Sequence, residues 1–223
     1  MMKIGIIGAG NIGGTLARRL TKLGHTVQIA NSRGPETLAE LAQETGARAV
    51  AVTDAAHDAD VVIVTIPQKR IPDLPANILA SAKSDAAIID TGNYYPQQRD
   101  GRIAAIEEGM PESGWVQNML GHPVIKAFNT IAAKNLLNEG HPAGTAGRWA
   151  LPVAGDDVAA KAKVMALVDA LGFDPVDAGG LDESWRQQPG SPVYVRLLTA
   201  DEVRHALAEA NPERPAEFRA AAP

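Results

Sequence analysis

The 223-residue chain contains no cysteine. That removes disulfides, thiolate zinc sites, iron–sulfur ligation and cysteine nucleophiles together. Basic charge is not in excess either: the formal net charge is -5, which argues against nucleic acid or an anionic membrane as a partner. No apolar run approaches the roughly 18 residues that a membrane span needs. The opening Met1-Met2-Lys3-Ile4-Gly5-Ile6-Ile7 enters a strand at once instead of forming a signal peptide, so a soluble cytoplasmic protein is expected. Five histidines, at 25, 57, 122, 141 and 205, show no ligand spacing, and no metal is expected. No Gly-x-Ser-x-Gly is present for serine hydrolase chemistry.

What is there is ordinary globular material. Hydrophobic residues make up 45% and charged residues 21%, enough for one large α/β domain with a small appendage. Short apolar runs (3–7, 26–30, 48–52, 61–66, 86–90, 124–128 and 149–154) read as strands. Amphipathic stretches at 12–23, 35–45 and 158–171 read as helices between them. Val61-Val62-Ile63-Val64 has no polar alternation, as a strand buried on both faces requires. Gly24, Gly46 and Gly172 follow helices where a left-handed cap belongs. This alternation predicts an α/β fold, a Rossmann-type doubly wound parallel sheet over residues 1–180. Residues 181–211 read as a short C-terminal helical appendage, with Thr199 or Asp201 capping its last helix. The segment 212–223, with its prolines and alanines, reads as a flexible tail.

Gly8-Ala9-Gly10-Asn11-Ile12-Gly13 fits G-x-G-x-x-G, directly after a strand and at the start of a helix, which is the context the motif needs. Gly8 permits the tight turn, Gly10 the approach of a pyrophosphate, and Gly13 close packing of helix on strand. The second strand ends in Asn31-Ser32-Arg33 where NAD enzymes carry an acidic residue. Amide, hydroxyl and guanidinium can all donate to a 2′-phosphate, so NADPH is expected over NADH. Ends of later strands supply Thr65-Ile66-Pro67, Gly92, and Asn129-Thr130 as groups to hold the nicotinamide half. Lys126 lies inside a strand and reads as structural. The aromatic-containing stretch from Trp185 to Tyr194 suits either a substrate pocket wall or a dimer contact. The sequence identifies no catalytic acid or base.

With these motifs assembled, the chain resembles the NADPH-dependent reductases of the coenzyme F420 (deazaflavin) oxidoreductase group. The resemblance rests on residues 4–13, on Asn31-Ser32-Arg33 and on Lys126-Ala127-Phe128-Asn129-Thr130. It implies a homodimer and hydride transfer between NADP(H) and a flavin-like acceptor, with Gly8, Gly10, Gly13, Ser32 and Arg33 holding the cofactor. A flavin or deazaflavin co-substrate, an imine, a quinone or a chelated metal are all open as acceptors. Two rival readings are an NADPH-binding sensor without turnover and an imine or 2-hydroxyacid dehydrogenase.

Overall fold

The computed structural model describes residues 1–221. Six short strands, β1 (Lys3–Ile7), β2 (Thr26–Ala30), β3 (Arg48–Ala49), β4 (Val61–Val64), β5 (Ala87–Asp90) and β6 (Ile125–Lys126), form one sheet. All pair in parallel, in the order β3-β2-β1-β4-β5-β6. Successive side chains of a strand point to opposite faces. In β4, Val61 and Ile63 enter one core while Val62 and Val64 enter the other. In β5, Ala87 and Ile89 are divided from Ile88 in the same way. Both faces are therefore covered, which explains the unbroken apolar runs.

Helix α1 (Asn11–Lys22) packs Leu16 and Leu20 on the first face, beside Leu136 of α5 (Ala133–Asn138) and Val164 and Leu167 of α6 (Val158–Ala170). On the second face lie Ile106 of α3 (Ala104–Glu107) and Trp115 and Val116 of α4 (Glu112–Leu120). Each fully buried aliphatic side chain is worth about 1.5–3 kcal/mol of transfer free energy, so these two cores dominate the stability. Strand order reverses between β1 and β4, opening a crevice above their carboxyl ends, the place where open α/β sheets bind ligands.

Some expectations need correction. The run 149–154 does form a strand, β7 (Ala150–Val153), but outside the main sheet. It pairs in parallel with β8 (Asp174–Asp177) and touches the main sheet through an antiparallel bridge from Lys126 to Ala154. Both of these strands carry a proline, Pro152 and Pro175. A residue without an N–H cannot serve a central ladder, and such strands belong at edges. The helix expected over 35–45 begins as a 3₁₀ turn, Pro35–Leu38, before α2 (Ala39–Thr45). The appendage contains a 3₁₀ segment, Leu181–Gln187, and α7 (Ala200–Ala208), whose Thr199 and Glu202 form a capping box. Val203, Ala206 and Leu207 of α7 share a small core with Ala150 and Val176. The boundary expected at 180 thus divides segments that pack together.

Residues 212–221, expected as a flexible tail, lie as a strap against the body. Arg214 reaches the buried carboxylate of Glu112 at 2.8 Å, and Gln97 donates to the carbonyls of Ala216 and Arg219 at 3.2 and 2.9 Å. Composition hid this, because the anchoring rests on one arginine, one phenylalanine and backbone groups of the strap. The remainder of that segment, residues 222 and 223, falls outside the described residues. Among the described residues no helix is long and apolar enough to cross a membrane.

Candidate cofactor and substrate site

After β1 the chain turns at Gly8, whose φ is +114°, a conformation open to glycine and strained for other residues. A Cβ there would lie 2.3 Å from the Thr65 carbonyl oxygen. At Gly13 a Cβ would lie 2.0 Å from the Gly8 carbonyl oxygen and 2.8 Å from Thr65 Cγ2. These two glycines therefore let α1 start hard against the ends of β1 and β4. Gly10 differs: a Cβ there would meet nothing within 4 Å. It is the N-cap of α1 and provides no capping side chain. The first-turn N–H groups, beginning at Asn11 and Ile12, are thereby left for an anion, with the helix dipole behind them.

Of the cavities that border this loop, two share Gly10, Thr65, Ile66 and Pro67. The first, about 420 Å³, runs from Gly8 to Asn31, Ser32 and Arg33 at the end of β2. The Asn31 side chain accepts a hydrogen bond from the Arg33 N–H at 2.9 Å and donates to Thr37 Oγ1 at 2.9 Å. The turn is thus fixed locally while the Arg33 side chain stays exposed. Among the described residues no ion pair engages that guanidinium. Ser32 and Arg33 border this cavity and offer it a hydroxyl and a guanidinium as hydrogen-bond donors.

The second cavity, about 480 Å³, extends over the ends of β4, β5 and β6. Asn11, Ile12, Gly92 and Asn129 border it. So does Tyr194, whereas Trp185 does not. Trp185 faces a separate cleft of about 920 Å³ under the C-terminal strap, with the Arg186 guanidinium 4.4 Å from its ring centre. The two aromatics expected to share a pocket wall are therefore apart, because a turn at Pro189–Pro192 separates them. Thr130 is buried behind the cavity, its carbonyl accepting from the Val195 N–H at 3.0 Å. Asn129 has little left to offer a nicotinamide. Its Nδ2 donates to Asn93 Oδ1 at 3.1 Å and to the Gln187 carbonyl at 2.6 Å, and its Oδ1 accepts from Gln187 Nε2 at 3.0 Å. It ties the sheet edge to the appendage instead.

Sequence reasoning missed several residues of this wall. Tyr95 and Arg99 come from the loop after β5, and the Tyr95 hydroxyl is hydrogen-bonded to that of Tyr194. The Arg99 guanidinium lies 5.1 Å from the Tyr95 ring centre and is held by Asp100 at 2.9 Å. Phe218 of the strap packs against both tyrosines, with ring centres 6.4 Å apart in each case. Burial first, then the bond to Tyr95 and the Glu112 charge, push the Tyr194 phenol well above its ordinary range, while Arg99 opposes. Phe128 and Val195, which also border the cavity, have φ of +62° and +52°. Such values in bulky or β-branched residues store strain that the surrounding structure must hold. A single signal could have found the tyrosines: three of nine aromatics fall at positions 94, 95 and 194 as the chain's full set of tyrosines.

Beneath the cavity, Lys126 is fully buried, 3.3 Å from Asp90 and 3.9 Å from Glu112, and it donates to the Gly92 carbonyl at 2.5 Å. It does not border the cavity, in keeping with a structural role. Burial raises the pKa of Glu112, against the pull of Lys126 and Arg214.

Residues 3–94 match the model of the family described as NADP oxidoreductase, coenzyme F420-dependent. A crystal structure of a hypothetical protein from Sinorhizobium meliloti is 33% identical, with 89% of this chain and 96% of that one aligned at a TM-score of 0.75. A candidate F420-dependent NADP reductase from Arthrobacter sp. FB24 is 26% identical, over 81% of this chain and 86% of that one, with a TM-score of 0.62. Metalloreductase STEAP3 of Rattus norvegicus is 28% identical over 92% of this chain and 39% of its own length. The chain spans about two fifths of the length of the first curated relatives it matches. Over residues 3–94 the chain thus matches the family of coenzyme F420-dependent NADP oxidoreductases, and along most of its length it is similar to the Sinorhizobium meliloti and Arthrobacter structures.

Proposed function

We propose that the protein is an NADPH-dependent oxidoreductase that passes hydride to a small conjugated acceptor. The observation that carries this is the pair of cavities joined at Gly10, one ending on the exposed Arg33 and the other on an aromatic wall. When bound, NADPH supplies the hydride. The residues described above bind and orient it: first-turn N–H groups of α1 for the pyrophosphate, Ser32 and Arg33 for the 2′-phosphate, Thr65 and Pro67 beside the nicotinamide. Flavins, deazaflavins and smaller carbonyl compounds all belong to that acceptor class. Trp185, distant from the wall, is left out of the acceptor site.

Calorimetric titration with NADPH and NADH tests the cofactor half, and NADPH oxidation with a panel of acceptors tests turnover. Tight NADPH binding with weak NADH binding, and oxidation of NADPH by at least one acceptor, are the expected results. Stoichiometric binding with no oxidation by any acceptor would favour a sensor. The same reading makes the protein a cytoplasmic homodimer, which sedimentation equilibrium would check by a mass of twice the chain.

A further inference from the structure

The second cavity is unusual in what borders it. Its side chains offer hydroxyl, amide and guanidinium groups, from Thr65, Asn93, Tyr95, Arg99 and Tyr194, and no carboxylate. Such a wall suits an uncharged or anionic ligand rich in oxygen acceptors and disfavours a protonated imine, which needs a counter-charge. At about 480 Å³ the cavity lies in the lower part of the range for small-molecule sites, roughly 300–1,000 Å³, and it must also receive the nicotinamide. A one- or two-ring compound fits that remainder better than a three-ring flavin with its side chain. Two phenols, Tyr95 from the sheet edge and Tyr194 from the appendage, meet hydroxyl to hydroxyl on the same wall, backed by Phe218.

We propose that the Tyr95–Tyr194 pair is the proton donor of this pocket and that the acceptor is a small quinone-type carbonyl compound. The inference rests on the NADPH-dependent reading above. Reduction of such a ring needs a hydride and one proton. The acceptor gains the hydride with its electron pair, leaving NADP⁺, and its carbonyl oxygen gains the proton from the facing phenol. The phenol O–H bond breaks, its electron pair stays on oxygen, and the charge is shared through the hydrogen bond from the second hydroxyl, with Arg99 nearby. Water then returns the proton. Burial first, then the bond to Tyr95 and the Glu112 charge, hold the proton on Tyr194, and the Arg99 charge on the same wall is what favours its release to the acceptor. Both hydroxyls border the cavity, so either tyrosine alone retains part of the function.

The test uses the full chain, 2-methyl-1,4-naphthoquinone as acceptor, and the variants Tyr95→Phe, Tyr194→Phe and both together. NADPH affinity is measured by calorimetry, and equilibrium binding of the naphthoquinone to the NADP⁺-loaded protein is measured without turnover. The expected result is naphthoquinone-dependent NADPH oxidation by the wild type. For the double variant kcat should fall about 100-fold or more, the lower end for loss of a general acid, with smaller losses in the single variants. Both binding constants should stay within about twofold. Wild-type kcat in the double variant would overturn the proposal. So would a parallel loss of kcat and NADPH affinity, which would give the pair a structural role. Tight NADPH binding with no oxidation by the naphthoquinone would overturn the inference alone, whereas failure to bind NADPH would overturn the reading beneath it.

Discussion

Arg33 stands in the exposed turn after β2 with its backbone N–H fixed by Asn31 and its side chain left in solvent. A charge-assisted hydrogen bond contributes about 1.5–3 kcal/mol, so Arg33→Ala should weaken NADPH binding roughly 10- to 100-fold. NADH binding should change much less, because no phosphate is there to lose its partner. Equal losses for the two nucleotides, read by calorimetry, would remove Arg33 from the phosphate site. The positions of this residue and of the three loop glycines were legible in the sequence because what sets them is local: a turn, a close approach, a strand end. Tyr95 and Tyr194 were not legible as a pair. They lie 99 positions apart, and only the packing of the appendage on the sheet edge brings them together. Asn129 misled for a related reason, since its strand-end position suggested a ligand and tertiary hydrogen bonds claimed the amide.

Among the elements, the strap 212–221 is anchored at the N-terminal end of α4 by an ion pair. Arg214 donates to Glu112 at 2.8 Å and to Gln188 Oε1 at 3.0 Å, and it lies over the Tyr94 ring. Breaking one side of a buried pair usually costs about 3–5 kcal/mol, because a desolvated charge is left behind. Arg214→Met should approach the lower end of that range, as Lys126 still faces Glu112 at 3.9 Å. The cost should depend on pH in a definite sense. A carboxyl whose folded pKa is raised binds its proton more tightly in the native state, so its contribution is full in acid and is lost as pH rises through the raised value. Arg214→Met raises that value further. Urea midpoints should therefore separate from wild type more at pH 8 than at pH 5, and an equal separation at both would mean that Glu112 does not titrate across this window. Proline and alanine content made this segment read as loose, which shows how one buried partner outweighs composition. The strands of the main sheet were easier, because burial on both faces writes itself into the sequence as uninterrupted aliphatic runs. β8, Asp-Pro-Val-Asp, carries no such signal.

For the whole molecule, the two cavities lie on opposite sides of the strand-order reversal, so a dinucleotide across them would touch elements from β1 to the appendage. A ligand that binds only the folded state stabilises it by about 2.7 kcal/mol at one hundred times its dissociation constant. For a chain of this size each kcal/mol moves Tm by roughly 2–4 °C. NADPH should therefore raise Tm by about 5–10 °C in scanning calorimetry, and NADH at the same concentration by clearly less. An unchanged Tm with NADPH would contradict binding across the reversal. The small β7–β8 layer is secured to the rest by Arg148, which donates to Asp169 and Asp174 at 2.7 Å and to the His141 carbonyl at 2.9 Å. Of its two strands only β7 was foreseeable as strand material, and its place outside the main sheet was not, since pairing partners are set by the fold and not by the run itself.

Val195 holds a left-handed backbone at the cavity rim with almost half its surface exposed, 48%. A β-branched side chain gains nothing in stability from that position, and glycine would relieve a strain of about 1–3 kcal/mol. Val195→Gly should thus yield a protein with a higher Tm and poorer turnover, because the loop carrying Tyr194 would sample more conformations. Anyone raising the thermostability of this scaffold by selection on folding alone should find changes at position 195 early. Such a screen would enrich sturdier catalysts that work less well.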